Sequence, residues 1–200
     1  MNFPTQLTVL RIILTPIYLI LFFKQHFVFQ AASFIIFCIA SLTDLYDGYY
    51  AKKYGFVTKW GKFLDPLADK ILISSVLILF NVIGYINLWV VLVIIFRDVL
   101  ITILRSYAIY KNQPIVTHQW ARYKTFFQMS SLIIVFVLVL FDQYAITTQK
   151  SYPVVQFLMK IDFINFLMSL VAIFTLVTGL IYFYENRKQI KVFLGAVTGP

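Results

Sequence analysis

The sequence contains little charge, and negative charge is the scarcer. Its 200 residues include 17 Lys and Arg against 8 Asp and Glu, and charged residues make up only 12%, whereas soluble domains have about 25%. Hydrophobic residues make up 61% and occur in long runs. These proportions exclude an ordinary soluble domain and predict an integral helical membrane protein with a single domain over residues 1–200.

Cysteine and histidine are almost absent. Cys38 is the only cysteine, so no intrachain disulfide can form, and its position within an apolar run predicts a buried hydrophobic side chain rather than a reactive thiol. His26 and His118 lie in predicted loops with no carboxylate or cysteine at ligand spacing, so we predict interfacial roles for both. This scarcity of histidine and cysteine argues against a zinc protein.

Six apolar runs are each long enough to cross about 30 Å of hydrocarbon as a helix. The first run has neither a basic n-region nor a small-residue cleavage site, so we expect it to remain as a membrane helix. The predicted fold is therefore all-α, with six transmembrane helices and a short interfacial segment at residues 4–8. The predicted spans are 5–23, 28–51, 68–87, 88–110, 125–141 and 161–184.

Basic residues are distributed unequally between the two sides of this arrangement. The side without the termini has only Lys24, Lys150 and Lys160, so the positive-inside rule predicts that both termini face the cytoplasm in a cell membrane. The net charge of +9 is spread over these loops, which predicts anionic lipid and phosphate-bearing substrates as partners rather than nucleic acid. The residues on the basic side are Lys52, Lys53, Lys59, Lys62, Lys111, Arg122, Lys124, Arg187, Lys188 and Lys191.

Half of the acidic residues crowd into positions 44–69, between apolar runs. Asp44 and Asp47 point to one face of the second span, and Asp65 and Asp69 share a face at the start of the third. We predict Asp65 as the N-cap of that helix, with Pro66 as its first residue. Helix capping explains one or two acids at membrane depth but not two pairs, so we predict a metal site. Oxygen ligands favour Mg²⁺ or Mn²⁺, and four carboxylates favour two ions.

A second group of charges lies within and after the fourth span. Arg97, Asp98 and Arg105 interrupt an apolar helix, and Arg122 and Lys124 open the next one. Asp98 cannot neutralise all four cations, and a phosphate dianion is their natural counter-charge. The alternative is an Arg97–Asp98 or interhelical ion pair together with ordinary loop charge.

The acidic stretch resembles the signature of the CDP-alcohol phosphotransferases. It reads Asp-x2-Asp-Gly-x2-Ala-Lys-x8-Gly-x3-Asp-x3-Asp over residues 44–69, with Lys52 where that family usually has Arg. The runs 4–11, 63–70, 97–105 and 124–128 extend the likeness over nearly the whole chain, towards the phosphatidylglycerophosphate synthase branch. Departures from that branch are Thr5 for a usual Asn and Ala-Arg at 121–122 for a usual Gly-Lys.

This resemblance implies a six-helix membrane enzyme, usually a homodimer, with a polar cavity open to the cytoplasm. It implies that Asp44, Asp47, Asp65 and Asp69 hold two Mg²⁺ or Mn²⁺ ions on a CDP pyrophosphate, and that Asp69 is the general base. Headgroup snorkelling is the alternative for Arg11. The residues that would contact the nucleotide-lipid donor are Gly48, Lys52, Thr58, Gly61, Thr8 and Arg11.

The implied reaction transfers the phosphatidyl group of CDP-diacylglycerol to glycerol 3-phosphate and releases CMP. The acceptor phosphate would then bind Arg97, Arg105, Lys124 and Arg122. Inositol phosphate or phosphatidylglycerol is the alternative acceptor within the family. A divalent-cation transporter is a remote alternative, and it predicts acids along a path through the bilayer rather than near one face.

Overall fold

The structure is a computed structural model that describes residues 3–24, 26–54, 59–110, 120–149 and 151–187. Every element in these ranges is an α-helix, which confirms the all-α class. The helices are α1 (Phe3–Phe22), α2 (Phe27–Tyr54), α3 (Lys59–Val82), α4 (Leu88–Tyr110), α5 (Trp120–Thr148), α6 (Pro153–Lys160) and α7 (Phe163–Glu185).

A helix occupies most of each of the six predicted apolar runs. Among the described residues, Tyr123–Thr148 and Phe163–Glu185 are long and apolar enough to cross a membrane, and Gln6–Phe22 and Phe27–Thr43 are shorter apolar helices. Large apolar side chains also face outward, including Leu180 at 70% exposure. An outer surface of this kind suits lipid rather than water.

The helices form a closed ring. α1 packs against α2 and α3, α3 against α4, α4 against α7, α7 against α5, and α5 against α2. Because the first and last members of this series meet, each of the six long helices has at least two neighbours. Asp98, its two cationic partners and Thr178 lie where α4, α5 and α7 meet.

An aromatic cluster forms the other side of this ring. Phe136 of α5 is fully buried, and its ring centroid lies 5.6 Å from Phe22, 5.1 Å from Phe34, 5.5 Å from Phe37 and 5.2 Å from Phe80. These partners come from α1, α2 and α3, so one side chain joins four helices. Edge and tilted ring contacts of this type add specific geometry to apolar burial.

The predicted start of the third helix was wrong. The predicted helix began at Pro66, ahead of a span from 68, but α3 begins at Lys59. Asp65 therefore lies within the helix and is not its N-cap, and Pro66 is not at the first position. Proline is favoured at the first position of a helix because the backbone N–H that it lacks would have no intrahelical partner there. Membrane helices tolerate interior proline when other groups satisfy the freed carbonyl.

α3 also ends earlier than predicted, at Val82 rather than at 87. Gly84 has φ +85°, a conformation that glycine adopts readily, and the amides of Tyr85 and Ile86 turn back to donate to the Phe80 carbonyl at 2.8 and 3.2 Å. Beyond the turn, Tyr85 donates a 2.5 Å hydrogen bond to Asp142. Burial and this carboxylate raise the pKa of Tyr85 above its ordinary value.

The connection between the fifth and sixth predicted spans contains structure that the sequence analysis missed. α5 continues to Thr148 instead of ending at 141, and α6 follows with Pro153 in its first turn. α6 has no buried residues and contacts α5 and α7. Cys38, predicted to be buried, is only partly so.

Candidate active site

The two helices that contain the acidic stretch are continuous through the predicted metal ligands. Asp44 and Asp47 are one turn apart in α2, and Asp65 and Asp69 are one turn apart in α3. α2 and α3 contact each other and both pack against α1. The side chains of Asp44, Asp47 and Asp65 lie outside the described residues, so their convergence remains a prediction.

Asp69 is the member of this set whose side chain the structure describes. Its carboxylate is 17% exposed and accepts a 2.9 Å hydrogen bond from the Lys70 ammonium. Lys70 in turn interacts electrostatically with Asp98 and with Lys124. The Asp69 end of the acidic stretch therefore borders the second group of charges.

The second group is centred on Asp98 of α4. One oxygen of Asp98, Oδ1, accepts hydrogen bonds from Arg97 at 3.2 Å and from Lys124 of α5. Asp98 is 4% exposed and Lys124 is 2% exposed, so these ion pairs are shielded from solvent. The alternative of an Arg97–Asp98 and interhelical ion pair is therefore present in the structure. The single carboxylate of Asp98 pairs with the two cations Arg97 and Lys124, so these three residues have a net positive charge.

Other predicted cations lie around this centre. Arg105 is exposed and makes no ion pair with any described residue, and Tyr182 of α7 interacts electrostatically with both Arg105 and Arg97. Arg122 is in α5, one position before Tyr123, but its side chain lies outside the described residues. The structure thus brings Arg97 and Lys124 together, with Arg105 near the same face of α7.

The two N-terminal candidates lie in α1. Thr8 and Arg11 are both fully buried, and the Arg11 carbonyl accepts a 2.9 Å hydrogen bond from Thr15. An enclosed guanidinium does not reach the headgroup region, so the snorkelling alternative for Arg11 is wrong. A contact of Thr8 or Arg11 with the donor remains a prediction.

The remaining donor candidates are placed only through their backbones. Gly48 and Lys52 lie in the last turns of α2, and Gly61 lies in the first turn of α3. Thr58 lies outside the described residues. These positions put the three backbones near the ends where α2 and α3 approach their connection.

A divalent metal fits the donor set of the acidic stretch. Four carboxylates in pairs one turn apart, on two helices in contact, supply oxygen ligands of the kind that Mg²⁺ and Mn²⁺ prefer. Among the described side chains no three His, Cys, Asp or Glu residues are grouped for a metal. The side chains of Asp44, Asp47 and Asp65 are not among those described, so this absence does not apply to the acidic stretch.

Several polar groups at this site were given no role by the sequence analysis. Gln128 is 1% exposed, and neither end of its amide has a hydrogen-bond partner among the described residues. The same is true of the hydroxyls of Thr175 and Tyr182 on α7. An unpaired buried polar group costs about 1–3 kcal/mol. The available signal was the spacing of polar and small residues at 175, 178, 179 and 182, one face of an otherwise apolar helix.

Known proteins resemble this chain over most of its length. Residues 1–161 match the family model for CDP-alcohol phosphatidyltransferase. The "CDP-diacylglycerol--glycerol-3-phosphate 3-phosphatidyltransferase" of Bacillus subtilis (strain 168) is 33% identical over 202 residues, covering 95% of this chain and 97% of the relative. The protein of the same name from Rickettsia felis is 30% identical over 188 residues, covering 94% and 96%.

A relative from a third organism matches a shorter part of the chain. The "Probable phosphatidylglycerophosphate synthase" of Mycobacterium tuberculosis is 36% identical over 131 residues, covering 64% of this chain and 62% of the relative. The family model alone spans well over half of the chain, and it includes the acidic stretch and the cations of α4 and α5. The chain therefore belongs to the CDP-alcohol phosphatidyltransferase family and is a membrane phosphatidyltransferase.

Proposed function

We propose that the protein transfers the phosphatidyl group of CDP-diacylglycerol to glycerol 3-phosphate, giving phosphatidylglycerophosphate and CMP. One observation carries the proposal beyond the names of the relatives. Asp69 is paired with Lys70, and Lys70 interacts electrostatically with the Asp98–Lys124 pair. A carboxylate suited to proton transfer thus borders a group of cations suited to a phosphate.

The donor would lie against α2 and α3. Asp44, Asp47, Asp65 and Asp69 would hold two Mg²⁺ or Mn²⁺ ions, and such ions neutralise charge on a pyrophosphate during displacement. Carried over by position, Gly48, Lys52, Thr58, Gly61, Thr8 and Arg11 would contact the nucleotide lipid. The burial of Thr8 and Arg11 in α1, which packs against both α2 and α3, supports their inclusion.

Asp69 acts as general base in this scheme. Its carboxylate accepts the proton of the acceptor's 1-hydroxyl, and the resulting oxygen attacks the lipid-side phosphorus of the donor. The bond from that phosphorus to the bridging oxygen breaks, and CMP leaves with the electron pair. The 2.9 Å hydrogen bond from Lys70 to Oδ2 orients the carboxylate.

The acceptor phosphate would bind the cations of α4 and α5. Arg97, Arg105, Lys124 and Arg122 form this set, and Asp98 is the carboxylate that pairs with two of them. A dianion is favoured because the positive excess is shielded from solvent around Arg97 and Lys124. Choline, ethanolamine and serine have no phosphate to offer these residues.

A reaction with purified protein tests the function directly. With CDP-diacylglycerol and Mg²⁺, we expect CMP release when glycerol 3-phosphate is added. Inositol phosphate, serine and phosphatidylglycerol are the parallel arms. If CMP is released with inositol phosphate or phosphatidylglycerol instead, that alcohol is the acceptor, and the enzyme class is unchanged. No release with any alcohol, but Mg²⁺ flux into protein-containing vesicles, would favour the transporter.

We also propose that α1 to α5 and α7 all cross the cell membrane, with both termini and the site at the cytoplasmic face, and that the active unit is a homodimer. The basic flanks support the orientation. Single cysteines at Lys24 and Arg187, in a Cys38→Ala background, should label from opposite sides of sealed vesicles. Labelling from the same side would overturn the proposed orientation.

The proposed homodimer has its own test. Chemical cross-linking in membranes should give a band at twice the monomer mass.

A further inference from the structure

One face of α7 carries polar and small residues within an apolar helix. Thr175, Thr178, Gly179 and Tyr182 are spaced i, i+3, i+4 and i+7, which places them on one side. Thr175 and Thr178 are buried, and α7 packs against α4 and α5. α7 begins at Phe163, after the last residue of the family-model match, so the match assigns no role to this face.

This face holds the side chain of Arg97. A Cβ atom at Gly179 would lie 3.3 Å from Arg97 Cγ and 3.4 Å from its Nε, so the side chain lies directly on the glycine backbone. Thr178 accepts a 3.0 Å hydrogen bond from Nη2 of Arg97. The Thr178 hydroxyl donates its own proton to the Phe174 carbonyl at 2.9 Å, which leaves its oxygen as the acceptor for the guanidinium.

Donors and acceptors remain unused on this face of α7 and on the helices packed against it. Among the described residues, Arg97 Nε and the hydroxyls of Tyr182 and Thr175 are buried without a hydrogen-bond partner, as are Asp98 Oδ2 on α4 and, on α5, both ends of the Gln128 amide. The Tyr182 hydroxyl is influenced electrostatically by Arg97 and Arg105. Buried polar groups usually have partners, and an unpaired hydroxyl at Tyr182 that interacts electrostatically with Arg97 and Arg105, together with the unpaired Nε of Arg97, indicates a place for a small polar anion.

We propose that this face of α7 is part of the acceptor site. Gly179 and Thr178 are positioning residues that hold Arg97, and Tyr182 donates a hydrogen bond from its hydroxyl to the phosphate-bearing alcohol. The proposal rests on the proposed function, since it assigns residues to that acceptor. It adds recognition without adding charge, because a tyrosine hydroxyl is a neutral donor.

A pair of matched tyrosine variants tests the contact. Tyr182→Phe removes one oxygen, and Tyr184→Phe makes the same change two residues on, at a side chain that is 70% exposed. We expect Tyr182→Phe to raise KM for glycerol 3-phosphate about tenfold, with KM for CDP-diacylglycerol unchanged. Tyr184→Phe should match the wild type in both constants.

A second variant tests the positioning role. Gly179→Ala should displace Arg97 and raise the acceptor KM about tenfold, whereas Leu180→Ala, at a side chain 70% exposed, should not. Inorganic phosphate should also compete with the acceptor less well in Gly179→Ala. This readout would not change if the glycine mattered only for folding.

The outcomes separate this inference from the function on which it rests. If the wild type releases no CMP with glycerol 3-phosphate, the proposed function fails. If the wild type is active and both α7 variants keep the wild-type acceptor KM, the α7 proposal fails alone. Equal increases in KM for donor and acceptor, or a loss of kcat with KM unchanged, would also overturn it.

Discussion

The acidic stretch and the basic group differ in how far apart their residues lie in the chain. The four aspartates fall within positions 44–69, on two consecutive helices. In contrast, Lys124 lies 26 residues from its partner Asp98, and Thr178 lies 81 residues from Arg97. The first region can therefore be read as a local pattern, whereas the second exists only after three helices pack.

This difference also suggests a division of labour. The acidic stretch is proposed to hold metal and accept a proton, and both affect the rate of the chemical step. The basic group is proposed to bind the acceptor, which affects KM. Variants on the two sides should therefore change different kinetic constants, and the following experiments test that separation.

Metal removal should have the largest effect and act through the acidic stretch. Chelation with EDTA should reduce CMP release to background, because the pyrophosphate charge is then no longer neutralised. Mg²⁺ or Mn²⁺ should restore it, since the donor set is all oxygen. The measurement is CMP release after dialysis and metal addition. Undiminished activity in EDTA would contradict the proposed metal site.

The variant Asp69→Asn should have the next largest effect, again on the rate. Loss of the base should lower kcat about 10²–10⁴-fold, while the donor still binds in an equilibrium assay. Asp162→Asn, at an exposed turn outside the site, serves as the matched control. Turnover close to that of the control would exclude Asp69 as the base.

Arg105→Ala tests the other side of the comparison. We expect KM for glycerol 3-phosphate to rise about tenfold or more, with a much smaller change for CDP-diacylglycerol. Arg187→Ala is the control, since Arg187 is also an exposed arginine but stacks on Tyr184 at 4.8 Å instead of facing the site. Similar increases for both substrates would argue against a separate phosphate site.

Asp98→Asn should affect stability and reveal the anion site at the same time. Removing the carboxylate leaves Arg97 and Lys124 buried without their shared counter-charge, at a cost of about 3–5 kcal/mol. The apparent melting temperature in detergent should fall by about 6 °C or more. Glycerol 3-phosphate should raise it more in the variant than in the wild type. An equal or smaller rise in the variant would contradict phosphate binding there.

Tyr85→Phe should have the smallest effect and no kinetic one. It removes the hydrogen bond to Asp142, which should lower stability by about 1 kcal/mol and the melting temperature by about 3 °C. kcat and both KM values should remain those of the wild type, because this turn lies outside both regions. A changed KM would show that the turn is coupled to the site.

The sequence predicted the helices well because long apolar runs leave few alternatives in a membrane. The ends of the helices were less predictable. Pro66 favoured a helix start at that residue, but the helix already begins at Lys59. The glycine at the next turn, Gly84, lies within an apolar run and was read as part of the span. α6 was missed because its connection was read from charges alone. Tyr182 was missed and Gln128 was given no role because their surroundings depend on residues distant in the chain: packing brings Tyr182 near Arg97 and leaves the Gln128 amide unpaired among the described residues.

The aromatic cluster around Phe136 has a consequence for Lys124. Both residues belong to α5, and twelve residues of helix separate them by about 18 Å. Rings from three other helices pack around Phe136 and fix the position of α5 there. The position of Lys124 therefore depends on contacts made well away from its ammonium group. A substitution that enlarges or removes a ring of this aromatic cluster should shift Lys124 and reduce the preorganisation of the acceptor site, although no polar residue is changed.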